Sequence, residues 1–280
     1  MTGSFKPAAM AFDLDGTIYL AEEALVGAVE LISHLRASQT PFLFATNNSS
    51  VPSARYVERL NAMGVPAEPH EVVTSNDVAI AHLTAHEIER VFLVATTEVR
   101  DEYAANGVVH GEDDVEAVVL TFDLTLDYQK LLTASALLRR GLPYFATHLD
   151  LVCPTPNGPI PDAGSFHALL GAATGREPLV LGKPSAAMAT TIRQRLAVSL
   201  PGRDLASKDA IAFVGDRLYT DVRMANDHGF TAVLTLTGEA TREDLAQGQY
   251  RADVVVRDLD ELHDLLLPAP RTHVLDGVRN

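Results

Sequence analysis

Asp13-Leu14-Asp15-Gly16-Thr17 follows the apolar run Ala8-Ala9-Met10-Ala11-Phe12 and sets two carboxylates two residues apart at the end of an expected strand. Side chains at i and i+2 of a strand point to one side, so Asp13 and Asp15 share a face and Leu14 points away. Gly16-Thr17 then breaks the run. Two carboxylates about 4 Å apart repel by about 4 kcal/mol at an effective dielectric of about 20. A chain that tolerates such a pair usually supplies a cation or another positive group. Taken alone, Asp-Gly is more often a solvated turn, so the remainder of the sequence decides between the two.

Outward from this stretch, β-rich runs at 10–12, 42–45, 91–95, 117–122, 144–146, 211–214, 232–236 and 254–256 alternate with amphipathic stretches at 27–38, 54–63, 128–139, 186–197 and 221–228. That rhythm predicts parallel α/β layers joined by right-handed crossovers. The runs 10–12, 42–45 and 211–214 stop at polar clusters, the last two being Thr46-Asn47-Asn48-Ser49-Ser50 and Gly215-Asp216. Ligands of open parallel sheets bind beyond the carboxyl ends of the strands, so the three clusters can meet in one crevice. Residues 79–178 carry their own strand and helix pattern and none of these clusters. The expected organisation is a core at 1–78, an inserted α/β domain at 79–178, the second half of the core at 179–268 and a C-terminal tail at 269–280. Two consecutive domains would instead separate Asp13 from Asp216.

The 280 residues, 47% hydrophobic and 21% charged, suit a globular protein with a substantial core. No run is long and apolar enough to span a bilayer, and residues 1–7 hold one Lys and no apolar core of signal-peptide length, which reads as cytoplasmic. The formal net charge of −15 disfavours nucleic acid and anionic membrane as partners. A phosphorylated small molecule would therefore need local positive charge at its site. The single Cys153 excludes an internal disulfide and a cysteine-based zinc site; beside Pro154 it reads as a small packed residue. His82 and His86 have i, i+4 spacing without an evident third ligand and read as a polar helix face. A homodimer is left open.

Four pieces line up in order: the Asp-x-Asp-Gly-Thr turn, Thr46-Asn47-Asn48, Gly182-Lys183-Pro184, and Gly215-Asp216-Arg217-Leu218-Tyr219-Thr220-Asp221. In this order and at strand ends they resemble the haloacid dehalogenase superfamily of phosphohydrolases. The match is to its class with a large α/β cap inserted after the second motif, the NagD-like, p-nitrophenyl phosphatase-like and phosphoglycolate phosphatase-like proteins. The resemblance covers nearly the whole chain and takes in Ile18-Tyr19, Thr174-Gly175 and Leu236-Thr237-Gly238. It implies a Rossmann-like three-layer core with a parallel central sheet plus the cap, and Mg²⁺-dependent hydrolysis of a small phosphate monoester through an aspartyl-phosphate.

On that resemblance Asp13 is the nucleophile, and Asp15 protonates the leaving oxygen and then takes a proton from the hydrolytic water. Dehalogenases of the superfamily lack an acid at the second position, so the pair points to phosphate-ester hydrolysis or phosphate transfer. The implied Mg²⁺ ligands are an Asp13 oxygen, the backbone carbonyl of Asp15, and Asp216. Asp221 would hold metal waters or orient Lys183, and it can also face the macrodipole of a helix start. The Thr46 hydroxyl and the Asn47 backbone N–H would hold phosphoryl oxygens, with Lys183 supplying positive charge.

The segments Ala146-Thr147-His148-Leu149-Asp150 and Pro161-Asp162-Ala163-Gly164-Ser165 resemble the substrate loop of the cap. The family typically reads Ala-Thr-Asn-Pro-Asp there, then Gly-rich residues before Gly-Ser. His148, Leu149, Asp162 and Ala163 depart from that pattern. Asp150 is expected to face the site; His148 either contacts the leaving group or is a partner-satisfied histidine at a strand end. The substrate stays open among glycolate-like, sugar, nucleoside and cofactor phosphates. Two other readings stand beside hydrolysis: a phosphotransferase or mutase of the same fold, and a phospho-ligand-binding module without turnover. The intact Asp13, Asp15, Lys183 and Asp216 set argues against the second.

Overall fold

The structure, a computed structural model, describes residues 5–155, 157–208 and 210–267; the expected tail at 269–280 lies outside the described residues. Six parallel strands form the first sheet, in the spatial order Val254–Val256, Thr231–Thr235, Ile211–Gly215, Ala9–Phe12, Phe42–Thr46 and Val72–Thr74. Each is apolar on both faces because helices cover both sides, the usual condition of a parallel sheet. Ala9 and Ala11 join Met188, Ile192 and Leu196 of the helix Ala186–Ser199 in one core. Met10 and Phe12 join Leu31 and Leu35 of Ala28–Ala37, and Leu259 and Leu262 of Leu259–Leu266, in the other. Complete burial of a side chain such as Phe12 stabilises by about 1.5–3 kcal/mol, so Asp13 starts from a firmly held strand end.

Ala9–Phe12 is where the strand order reverses. The chain builds outward to Phe42–Thr46 and Val72–Thr74 on one side, then returns to build Ile211–Gly215 and its neighbours on the other. Phe12 is in register with Val214 and with Phe44, which sets Asp13 between the ends of both flanking strands. The polar clusters of the sequence therefore meet at one switch point.

A second sheet of five parallel strands runs in the order Leu179–Val180, Tyr144–Ala146, Ala117–Leu120, Arg90–Val94 and Val109–His110. Phe92, Val94, Val118 and Leu120 face Leu137, Leu138 and Leu170 of the helices Tyr128–Arg139 and Ala163–Thr174. Val91, Leu93 and Val119 on the opposite face share a continuous core with Val78, Ala79, Ile80 and Leu83 of the helix Ser75–Ala85 and with the first sheet. Two short antiparallel hairpins flank the switch point, Tyr19–Leu20 with Glu23–Ala24 and Val152–Cys153 with Ile160–Pro161. Every β-rich run of the sequence forms a strand, and the fold is α/β with parallel sheets as expected. The short strands Val72–Thr74, Val109–His110 and Leu179–Val180 were not among the expected runs. No helix among the described residues is long and apolar enough to cross a membrane.

Candidate active site

Asp13 leaves its strand still tied to the neighbour, its N–H donating to Val214 O at 2.8 Å. The chain then folds tightly: the N–H groups of Thr17, Ile18 and Tyr19 all point to the Leu14 carbonyl, at 3.1, 2.8 and 3.2 Å. Gly16 has φ of +85°, and a Cβ there would stand 2.6 Å from Asp216 Oδ2, so both the backbone and the adjacent carboxylate demand glycine. Asp15 lines the same cleft as Asp13 and accepts from Tyr19 Oη at 3.4 Å. Burial raises the Asp15 carboxyl above its ordinary value, with Arg59 and Arg217 pulling it back.

Asp216 follows the strand Ile211–Gly215, and the chain then winds as a π-helical turn over Leu218–Val222. Such widened turns are frequent at functional sites. Here the turn brings Asp221 back to the strand end, where Asp221 Oδ2 accepts from Arg217 N at 3.1 Å. Asp13, Asp216 and Asp221 are all buried, and each has a carboxylate oxygen within 4.8 Å of the others. The Lys183 ammonium donates to Asp13 Oδ1 and lies 2.8 Å from Asp221 Oδ1. Burial alone would push Lys183 down, but Asp13 and Asp221 outweigh it and hold the ammonium above its usual value. Burial, then Asp13 and Asp221, push Asp216 up to about 8; burial against the pull of Lys183 pushes Asp221 up to about 6. Three hard oxygen donors, crowded and short of positive charge, match what a divalent cation such as Mg²⁺ takes. The Asp15 carboxylate stands outside this trio.

Thr46 and Asn47 close the neighbouring strand end. Thr46 Oγ1 accepts from Asn48 N at 3.1 Å, and Thr46 lines the cleft. The Asn47 side chain grips the Lys183 backbone from both sides, accepting from Lys183 N at 2.7 Å and donating to Lys183 O at 3.1 Å. Gly182 makes that grip possible: a Cβ there would sit 2.3 Å from Thr147 O and 2.6 Å from Asn47 Oδ1. The sequence assigned Asn47 through its backbone alone and missed this use of the carboxamide.

The opposite wall comes from the loop after Tyr144–Ala146 and from the hairpin beyond it. Asp150, Cys153, Pro154 and Asp162 line the cleft there, with Arg217 reaching across from the core. Arg217 Nη1 lies 3.3 Å from Asp150 Oδ2, and Arg217 Nε lies 3.1 Å from Glu239. His148 is fully buried and stands behind this wall, Nδ1 3.6 Å from Asp150 Oδ2 and Nε2 3.5 Å from Asp162 Oδ1. His82 and His86 sit with their rings 4.2 Å apart and tilted on the helix Ser75–Ala85 and its end, and neither belongs to the two clusters of potential metal ligands.

Family models of a haloacid dehalogenase-like hydrolase and a HAD-hydrolase-like domain match residues 10–109 and 180–262. The acid sugar phosphatase of Staphylococcus saprophyticus is 30% identical over 257 residues, covering 91% of this chain and 96% of that protein. The chain belongs to the haloacid dehalogenase-like hydrolases. The 4-nitrophenylphosphatase of Thermotoga maritima superposes with a TM-score of 0.87 at 39% identity, over 93% of this chain and 98% of that one. The glycerol phosphate phosphatase of Mycobacterium tuberculosis, solved in complex with magnesium, superposes with a TM-score of 0.82 at 33% identity, over 95% and 81%.

This haloacid dehalogenase-like hydrolase is a phosphatase, with the five-stranded unit as the α/β cap inserted into its core. Of the residues singled out in its sequence, Asp13, Asp15, Thr46, Asn47, Asp150 and Lys183 line one cleft. Asp216 and Asp221 lie buried beside Asp13, and His148 lies behind the cleft wall. Arg217, Thr220, Cys153 and Asp162 also line it and had been given no role. Arg217 could have been found, since it directly follows Asp216. Asp162 carried a weaker signal, a carboxylate where the family pattern is Gly-rich.

Proposed function

We propose that this phosphatase hydrolyses a small organic phosphate monoester in a Mg²⁺-dependent reaction through an aspartyl-phosphate on Asp13. The observation that carries the proposal is the buried trio Asp13, Asp216 and Asp221 sharing Lys183 at the switch point of a parallel sheet. Asp13, the Asp15 backbone carbonyl and Asp216 would hold the ion, with Asp221 beside them. Bound there, Mg²⁺ supplies the positive charge that lets an anionic carboxylate meet an anionic phosphoryl group.

The remaining chemistry belongs to the chain's own residues. Lys183 orients Asp13 through the Oδ1 contact, leaving the second carboxylate oxygen to attack phosphorus. The Thr46 hydroxyl and Asn47 backbone N–H bind phosphoryl oxygens as charge builds on them. Asp15, protonated more readily because it is buried, donates its proton to the leaving oxygen and later takes one from the water that cleaves the aspartyl-phosphate. The cap wall excludes bulk water during the first step. Relatives named acid sugar phosphatase, 5'-nucleotidase and D-glycerol 3-phosphate phosphatase support a polar organic leaving group here.

The test is release of inorganic phosphate from p-nitrophenyl phosphate. Activity should require Mg²⁺, vanish in chelator and be absent in Asp13→Asn. Turnover surviving in that variant would overturn the nucleophile, and transfer to a sugar hydroxyl in place of water would favour the phosphotransferase reading.

A further inference from the structure

The leaving-group end of the cleft has an unusual chemical bias. Its two charged cap residues, Asp150 and Asp162, are both more than nine-tenths buried, and ionised carboxylates only accept hydrogen bonds. Asp150 is already engaged: its Oδ2 faces Arg217 Nη1 at 3.3 Å, Asn47 Nδ2 at 3.4 Å and His148 Nδ1 at 3.6 Å. Asp162 is engaged on one oxygen. It caps the helix Ala163–Thr174, with Oδ1 accepting from Ala163 N at 2.6 Å and facing His148 Nε2 at 3.5 Å. Among the described residues no donor reaches its Oδ2.

His148 ties the two carboxylates together. It has no surface exposure, and neither ring nitrogen makes a hydrogen bond of good geometry, yet each faces a carboxylate. A neutral imidazole has a single N–H and can serve one of them; the doubly protonated ring serves both. His148 and Asp162 are also two of the positions at which this chain departs from the usual cap-loop pattern. The two departures stand against each other, so they form one device.

We propose that Asp162 selects the leaving group: its free oxygen accepts a hydrogen bond from a hydroxyl of a small polyol phosphate and repels a leaving group that carries a carboxylate. His148 is the positioning residue that holds Asp162 and Asp150 in place. The inference rests on the phosphatase reading above and narrows it. Glycolate-like phosphates would put a second anion against two buried carboxylates, and Arg217, the cation that reaches this wall, is already paired with Asp150 and Glu239. A polyol places a donor there.

The experiment compares glycerol 3-phosphate, 2-phosphoglycolate and p-nitrophenyl phosphate on the wild type, Asp162→Asn, Asp162→Ala and His148→Asn, all with Mg²⁺. Asn caps helices about as well as Asp, so Asp162→Asn keeps the helix start and removes only the charge. KM for glycerol 3-phosphate should rise about tenfold in both Asp162 variants, the usual scale for one lost hydrogen bond to a charged group. Turnover of p-nitrophenyl phosphate, which has no hydroxyl to donate, should fall less, so the ratio of kcat/KM for glycerol 3-phosphate to that for p-nitrophenyl phosphate should drop several-fold. In Asp162→Asn, whose carboxamide can donate, kcat/KM for 2-phosphoglycolate should rise about tenfold. His148→Asn should raise KM for glycerol 3-phosphate more than KM for p-nitrophenyl phosphate, with kcat changing less than KM on both. An unchanged preference between the probes, or an equal loss on all three, overturns the assignment of Asp162 while leaving the phosphatase reading standing. A wild type inert toward all three removes that reading itself.

Discussion

Lys183 Nζ lies 2.8 Å from Asp221 Oδ1, with both side chains buried. Lys183 arrives on the loop after Leu179–Val180 of the cap sheet, and Asp221 on the π-helical turn of the core. The same ammonium donates to Asp13, so one lysine joins two of the three carboxylates at the switch point. Removing one partner of a buried ion pair strands the other, at a cost of about 3–5 kcal/mol. Lys183→Met should therefore lower the unfolding free energy by about 3–5 kcal/mol in chelator, measured by urea denaturation. Mg²⁺ should recover part of that loss by binding the stranded carboxylates. Turnover should fall by about 10²–10³-fold, the usual scale for losing a group that stabilises the transition state electrostatically.

The carboxylate trio also fixes a pH dependence. Asp216 is pushed up to about 8 and Asp221 up to about 6, so the folded, metal-free protein binds more protons than the unfolded chain between about pH 4 and 8. Stability then falls as pH rises through that window, because ionising these groups costs more in the folded state. In chelator the melting temperature should drop between pH 5 and about 8.5. Asp216→Asn should flatten the drop. Saturating Mg²⁺ should reduce or reverse it, and apparent Mg²⁺ affinity should weaken below about pH 8 as protons compete for Asp216. A melting temperature that rises with pH in chelator would contradict the crowded trio.

Much of this arrangement was legible from local signals. Asp13, Thr46 and Asp216 each follow an apolar run, and a parallel sheet brings such ends together, so their convergence followed from pattern. Other features depend on distances that no pattern encodes. Asn47 reads as a strand-end residue, yet its side chain clasps a backbone 136 positions away. Asp221 was expected to hold metal waters or orient Lys183, or to face a helix start, and the π-helical turn that sets it in a buried ion pair with Lys183 left no pattern of its own. Arg217 lay in plain view beside Asp216, while its reach to Asp150 is set by how the cap packs on the core. Leu179–Val180 was expected with the core; only its pairing to Tyr144–Ala146 places it in the cap sheet.

Asp150 links the two units, since its Oδ2 faces Arg217 and Asn47 of the core from a cap loop. Asp150→Ala should loosen the closed position of the cap and leave the chemistry in place. KM should then rise about tenfold for every phosphate ester, p-nitrophenyl phosphate included, with a smaller change in kcat. Cys153 gives an independent readout. It lines the cleft, it is the only cysteine of the chain, and burial pushes its thiol up to about 12. Its labelling by a thiol reagent should quicken several-fold in Asp150→Ala, and bound substrate should slow it in the wild type.

Asp15 is assigned two proton transfers, and the leaving group separates them. An alkoxide needs a proton to depart, whereas p-nitrophenolate is stable enough to leave without one. Asp15→Asn should therefore lower turnover of glycerol 3-phosphate by about 10²–10⁴-fold, the range for loss of general acid catalysis. With p-nitrophenyl phosphate the first step should be largely spared. The second step still needs a base for water, so the aspartyl-phosphate on Asp13 should accumulate. Rapid mixing should show a burst of p-nitrophenolate close to one equivalent per enzyme, followed by slow turnover. Mg²⁺ affinity should be unchanged, because the Asp15 carboxylate stands outside the buried trio. Equal losses on both substrates with no burst would place Asp15 in orientation of the site and leave the proton transfers to another group.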